Sequence, residues 1–233
     1  MGRIRVKICG MTRLADAQCA VEAGVDALGF IFMAKSPRFI APARAREIIA
    51  GLPPFVAAVG VFVNAELGQA GAIIQECGLN YAQLHGEETP EYCRQLRAAA
   101  PACRLIKALR IGGPREGSLD PAVYADCTSA LLLDTYAPKL HGGTGDAFDW
   151  APIPSLQLSQ PFLLAGGLHP GNVEAALGAV PGVYGLDANS GLEDAPGIKN
   201  HALICRFLEQ VRTKEQALFQ SKSKNAIKKA RKM

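Results

Sequence analysis

Eight short apolar or β-branched runs recur along the chain with starts 22 to 31 residues apart, each followed by a stretch with helical spacing. They begin near Ile4 (IRVKIC), Asp26 (DALGFIF), Val56 (VAAVGVFV), Tyr81 (YAQLH), Arg104 (RLIKAL), Ala130 (ALLLD), Pro161 (PFLLAGG) and Val183 (VYGLDA). Such an interval holds one strand, one helix and two short loops, and strands that alternate with helices pair in parallel through right-handed crossovers. The unbroken apolar run from Ala130 to Leu133 agrees, because a strand with helices on one face and a barrel core on the other has no wet side. Eight units in about 210 residues predict a single-domain α/β protein, a (β/α)8 TIM barrel near the lower length limit of that fold. A doubly wound open sheet is the alternative, but neither a G-x-G-x-x-G turn after the first strand nor a P-loop is present.

Helix boundaries carry their own signals. Thr12 precedes LADAQCAVEAG and Asn64 precedes AELGQAGAIIQECG, each in a capping position, while Thr89-Pro90-Glu91 offers a cap, a proline at the first helical position and an early acid. Gly24 and Gly78 stand where helices should end. Between Ile111 and Pro121 glycine, proline and charge leave little room for a helix, so the fifth one is expected to be short or irregular.

The chain has 233 residues, and a core of that size buries roughly 70% of the unfolded surface without covalent staples. Its net charge of +4 is unevenly placed. Seven Lys/Arg and one Glu fall between Thr213 and Met233, so residues 1–212 carry two more acidic than basic side chains. We therefore divide the chain into a barrel, 1–212, and a basic tail, 213–233, the latter a helical extension or a disordered segment. A lysine run of this kind reads as a solvated face, against which contact with nucleic acid is the rival. The seven cysteines are never closer than ten positions, which excludes C-x-x-C zinc or redox motifs. They read as small buried groups in a reducing compartment, one of them reactive. With no run of 18 apolar residues and no apolar signal-type segment near Met1, a cytoplasmic protein without a membrane span is expected.

In a barrel the strand ends meet at one mouth, where polar residues take priority. They are Cys9, Arg38, Asn64, His85, Asp134, the pair Gly166-Gly167, and Asp187, Asn189 and Ser190, following strands one, two, three, four, six, seven and eight. The glycines after strand seven, the start Pro170-Gly171-Asn172 of the next helix, and Gly191 suit a phosphate cradle of backbone amides, or simply tight turns. Cys9 reads either as packing or as a thiolate base or nucleophile. Asp134 ends a buried run, the partly dry setting that general-acid work uses, or it caps the following loop. Arg38, stiffened by Pro37, presents a planar fork for a carboxylate or phosphate, or is solvated. His85 handles a proton, orients a neighbour, or is structural, and His141-Gly142-Gly143-Thr144-Gly145 reads as a mobile cover or a plain loop.

Taken in order, Val6-Lys7-Ile8-Cys9-Gly10-Met11-Thr12, Gly29-Phe30-Ile31-Phe32 with Ser36-Pro37-Arg38, Gly60 to Asn64, Gln83-Leu84-His85-Gly86, Leu133-Asp134, Gly142 to Gly145 with Phe148-Asp149-Trp150, Leu164 to Leu168, and Gly185-Leu186-Asp187 through Ser190-Gly191-Leu192-Glu193 resemble the phosphoribosylanthranilate isomerase family. The likeness covers about residues 4–212. It implies a (β/α)8 barrel and an Amadori rearrangement in tryptophan biosynthesis, with no cofactor and no metal. It also implies a small phosphorylated substrate, and it leaves monomer or homodimer open. By motif, Cys9 would be the general base and Asp134 the general acid. Arg38 would hold the anthranilate carboxylate, with groups around Gly166, Gly167, Asp187 and Ser190 on the phosphate and His85 nearby. Two positions depart from the family pattern. Asn189 replaces a serine, which implies altered phosphate contacts, and Asn200 replaces an aspartate, which removes a charge from a helix start. Two rival functions remain at this point. One is another phosphosugar-binding barrel isomerase, such as the histidine-pathway enzyme, which is expected to use paired aspartates. The other is a non-catalytic barrel that binds nucleic acid through its tail.

Overall fold

The alternation of strand and helix closes on itself. In the computed structural model eight parallel strands pair in chain order, and the eighth returns to the first. The structure describes residues 3–111, 120–135, 150, 153–156 and 158–230. The strands are β1 (Arg5–Ile8), β2 (Ala27–Ile31), β3 (Ala57–Phe62), β4 (Tyr81–Leu84), β5 (Arg104–Ile111), β6 (Ala130–Thr135), β7 (Phe162–Ala165) and β8 (Gly185–Ala188), each beginning within two residues of its apolar run. Helices α1 (Leu14–Glu22), α2 (Pro42–Ala50), α3 (Leu67–Cys77) and α4 (Pro90–Ala99) follow the first four strands, and α5 (Val173–Ala179) follows β7. A short hairpin, β9 (Glu193–Ala195) with β10 (Ile198–Lys199), stands between β8 and the last helix, α6 (His201–Ala230). After β5 the described residues include a 3-10 turn at Pro121–Tyr124; the core of the stretch expected to hold an irregular fifth helix, 112–119, lies outside them.

Because strand side chains alternate, every barrel strand has an inner and an outer row. The inner row packs Val59, Ile106, Ala108, Ala130, Leu132, Leu163 and Ala165 into one apolar plug. The outer row, including Val6, Ile8, Leu131, Leu133 and Leu186, packs against the helices in a second cluster. Cys9, Asp134 and Asp187 continue the inner rows of β1, β6 and β8 above that plug, so parity alone sends these polar groups toward the mouth.

Two expected caps have other partners. α1 begins at Leu14 without a side-chain cap, and the Thr12 hydroxyl donates instead to the Gly197 carbonyl. α3 begins at Leu67, and the Asn64 side-chain oxygen accepts from the Glu87 amide across the β3–β4 loops. In both cases a tertiary partner wins over a local turn. Thr89 does cap α4 through the Tyr92 amide, Gly78 ends α3 in the left-handed conformation, and Asn200 keeps a cap on α6 through the Leu203 amide despite its missing charge.

Under the β4–α4 loop, Lys107 donates to the carbonyls of Leu84 and Gly86 and to Glu88 Oε2, at 3.2, 2.7 and 3.0 Å. Both side chains are almost fully buried, and leaving one such charge unpaired costs about 3–5 kcal/mol. The pair brackets His85 on both sides and fixes its backbone. At the other end, α6 runs unbroken past residue 212: Glu215 accepts from the Ile4 amide, and Arg212 donates to the carbonyls of Ile4 and Gly24. Among the described residues no helix is long and apolar enough to cross a membrane.

Candidate active site

Cys9 lies at the top of β1, buried, with its amide on the Ala188 carbonyl. Lys7, two residues earlier on the same inner row, is buried too, and its ammonium donates to both carboxylate oxygens of Asp187 at 2.8 Å. The register pairs Lys7 directly with Asp187. A lysine in the middle of a strand is tolerated here because burial, which draws the ammonium down, is outweighed by Asp187, through its charge and hydrogen bonds, together with Cys9, and the ammonium is held above the usual lysine range. The Cys9 thiol is pushed up by burial and by Asp187, while Lys7 and Lys199 pull the other way. On β2, a Cβ at Gly29 would come within 2.7 Å of Cys9 Sγ and 3.1 Å of Lys7 Cε, so the missing side chain is the slot in which both groups sit.

The hairpin after β8 supplies a second charged cluster. Lys199 is buried and donates to the Asn189 carbonyl, to Asn189 Oδ1 and to Glu193 Oε1, at 3.1, 2.9 and 2.8 Å. Burial draws its ammonium below the usual lysine range. Burial opposes the charge on Glu193, but hydrogen bonds from Arg38 and Lys199 outweigh it, and the carboxyl lies below its usual range. Glu193 grips Arg38 along one edge, with Nε at 2.9 and 3.0 Å and Nη2 at 2.7 Å. A guanidinium has five N–H donors, so this grip leaves the Nη1 side of Arg38 for another anion.

Asp134 ends the inner row of β6, and its side chain is about one-third exposed, at 31%. His85 Nε2 lies 3.2 Å from Asp134 Oδ2, and His85 Nδ1 lies 2.8 Å from Gln83 Nε2. Each ring nitrogen therefore has a partner, the Asp134 carboxylate on one side and the Gln83 side-chain amide on the other. From the sequence His85 stood between three roles; the structure places its ring between Asp134 and Gln83.

Gly166 and Gly167 both have positive φ, 92° and 63°, directly after β7. The loops after β7 and β8 touch: a Cβ on Gly191 would stand 2.2 Å from the Leu168 carbonyl oxygen. Ser190 opens a 3-10 turn at Ser190–Leu192, beside that contact. Asn172 does not cap α5; its amide closes the preceding loop on the His169 amide and the Gly167 carbonyl.

The structure thus gathers Cys9 with Asp187, Arg38 with the Asn189 loop, His85 with Asp134, and Gly166-Gly167 with the loop of Ser190. Asp187 was expected beside the phosphate, but its carboxylate is turned down onto Lys7, which keeps one anion away from another. The cover at 141–145 lies outside the described residues. Lys7, Gly29 and Glu193 were quoted only as motif letters, and Lys199 was not singled out. For Lys7 a signal was available, since a lysine flanked by Val6 and Ile8 shares the parity of Cys9.

The family model for N-(5'-phosphoribosyl)anthranilate (PRA) isomerase matches residues 6–210. The N-(5'-phosphoribosyl)anthranilate isomerase of Geobacter sp. strain M21 is 46% identical over 208 residues, covering 89% of this chain and 98% of that protein. The crystal structure of the phosphoribosyl anthranilate isomerase of Thermotoga maritima superposes with a TM-score of 0.78 at 40% identity, covering 90% of this chain and 99% of the other. A phosphoribosyl anthranilate isomerase crystallised with reduced 1-(o-carboxyphenylamino)-1-deoxyribulose 5-phosphate gives 0.77 at 38% identity, with 90% and 99% covered. The barrel and the likeness over most of the chain agree, and the chain belongs to the N-(5'-phosphoribosyl)anthranilate isomerase family.

Proposed function

We propose that the Amadori rearrangement of N-(5-phosphoribosyl)anthranilate, the step this family contributes to tryptophan biosynthesis, runs in this chain on Cys9 as general base and Asp134 as general acid. Asp134 gives its proton to the furanose ring oxygen as the C1′–O bond breaks, and the anilino nitrogen's lone pair forms the protonated Schiff base. Cys9, as thiolate, then takes the C2′ proton, and the C–H electrons flow toward nitrogen to give an enolamine that tautomerises to the ketone. The observation that carries this reading is the pairing of a thiol, which shares the Gly29 slot with a buried lysine, and a carboxyl group held by a histidine ring, on inner rows of the same barrel. The free Nη1 side of Arg38 takes the anthranilate carboxylate. Backbone amides around Gly166, Gly167 and Asp187, with Asn189 and Ser190, take the phosphate.

The test is decay of the substrate's fluorescence on adding purified protein with a chelator present. Turnover is expected; its absence, or a preference for the histidine-pathway substrate, removes this function. A chain shortened to residue 220 keeps Glu215 and its tie to Ile4, and its kcat is expected to stay within about twofold of the full chain. Strong nucleic-acid retention by the full chain, lost on shortening, would favour the tail-based rival.

We also propose a homodimer built on the amino-terminal face of the barrel, in a reducing cytoplasm. Phe55, between α2 and β3, is fully exposed and has φ of 71°. A bulky residue in that region costs about 1–3 kcal/mol of strain, which a partner that uses the ring can offset. Beside it lies a cavity of about 320 Å³ at the starts of β3, β4 and β5, walled by Val56, Tyr81, Ala102 and Arg104. A two-fold contact would seat each ring in the other copy's cavity. The Thermotoga maritima relative is a dimeric enzyme. Sedimentation should give a dimer for the wild type and a monomer for Phe55→Asp; a monomeric wild type overturns the assembly. The seven free thiols support the compartment.

A further inference from the structure

The mechanism needs a thiolate in a place that burial makes unfavourable for one. Cys9 is buried, its sulfur sits over the Gly29 slot, and the carboxylate of Asp187 adds a negative charge to its surroundings. Three charged groups face the sulfur: Lys7 from its own strand, Asp187 from β8 and Lys199 from β10. Two of these are positive, and their proton inventories tell them apart.

An ammonium has three N–H donors. Lys199 has three acceptors among the described residues, the Asn189 carbonyl, Asn189 Oδ1 and Glu193 Oε1, so each of its protons already has a direction. Lys7 has two among the described residues, the oxygens of Asp187, and its stem shares the Gly29 slot with the sulfur of Cys9, so its third donor is the one left for Cys9. Lys7 and Cys9 share one inner row, and the stem of Lys7 and the sulfur of Cys9 both lie against Gly29, so neither can swing away through that side.

We propose that Lys7, seated on Asp187 beneath Cys9, is a positioning residue for the base: its ammonium fixes the sulfur over Gly29 and supplies the positive charge beside which the thiolate forms. Asp187 sets where that ammonium stands and takes two of its three protons, so one remains uncommitted among the described residues. The assignment rests on the reading of Cys9 as base, but its own content, control of Cys9 ionisation, is measurable without turnover.

The experiment follows the ¹³Cβ resonance of Cys9 in cysteine-labelled protein through a pH titration, the signal assigned by its loss in Cys9→Ala, beside kcat/KM against pH. Lys7→Met should move the Cys9 titration to higher pH and lower kcat/KM near neutrality at least about tenfold, the equivalent of one pKa unit, with KM little changed. Asp187→Asn should move the titration the opposite way, because the negative neighbour is gone and the ammonium is free to turn fully to the sulfur. The double variant Lys7→Met/Asp187→Asn leaves no unpaired charge and guards against a fold too damaged to read; it should also titrate higher than wild type. Cys9 titrating at the wild-type pH in the double variant overturns the proposal. If the resonance moves as expected while the kcat/KM profile stays where it was, the control of the thiol stands and the reading of Cys9 as base fails.

Discussion

Cys9→Ala is expected to reduce kcat by about 10³-fold, within the range of about 10²–10⁴ that a positioned acid or base supplies, while KM for the phosphorylated substrate changes little. Removing Sγ empties the slot over Gly29 but leaves Lys7 on both oxygens of Asp187 and Arg38 on Glu193. Cys9→Ser should be no better, because its hydroxyl holds its proton far more tightly at neutral pH. The wild-type pH profile carries the sign of the same physics. Since burial pushes the Cys9 thiol up, the active thiolate fraction grows with pH, and kcat/KM should climb through a limb above the ordinary cysteine value of about 8.5. Cys93 and Cys103 are buried thiols pushed up to about 12 and about 11. They stay neutral in the fold but ionise in the unfolded chain, so stability falls as pH rises from the ordinary cysteine range toward those values, and Tm is to be followed beside the rate. A kcat for Cys9→Ala within tenfold of wild type would remove the sulfur from the chemistry.

The strands were legible because a barrel strand is apolar on both faces and is bounded by loops, so runs such as Ala130–Leu133 and Phe162–Ala165 mark themselves. Which end carries chemistry followed from direction alone, since parallel strands deliver Cys9, His85 and Asp134 to one mouth. What stayed hidden depends on partners far away in sequence. Lys7 and Asp187 are 180 positions apart, and although parity puts Lys7 on the row of Cys9, nothing local names the partner that lets it be buried. Glu193 was visible as a motif letter, but that it and Lys199 hold Arg38 and the Asn189 loop requires the hairpin of β9 and β10 to fold back onto Thr12 and Asp16, after β1. Thr12 and Asn64 failed as caps for the related reason that a hydroxyl or amide near a helix start takes whichever acceptor or donor the tertiary structure brings first. The Asn189 substitution has a structural use of its own: Oδ1 accepts from Lys199 and packs where a Cβ at Gly10 would come within 2.6 Å.

Asp134→Asn is expected to cost kcat about as much, again about 10³-fold, and here the isosteric change isolates proton transfer from shape. His85 Nε2 lies against Asp134 Oδ2, which leaves Oδ1 to carry the proton toward the sugar's ring oxygen. Asparagine can copy that arrangement, with its carbonyl accepting from His85 and its NH₂ facing the sugar. It donates a hydrogen bond but has no proton to give at neutral pH, so the ring stays closed and no Schiff base forms. Because the side chain is 31% exposed and holds no buried charge, the substitution should leave Tm almost unchanged, which separates lost chemistry from lost fold. The two variants also fail at different steps. Asp134→Asn stops before ring opening and should give no exchange of the C2′ hydrogen with solvent. Cys9→Ala keeps the acid, and so retains reversible ring opening while losing abstraction from C2′. Scrambling of the C1′ configuration in Cys9→Ala but not in Asp134→Asn is the expected pattern; the reverse pattern would exchange the roles of the two residues.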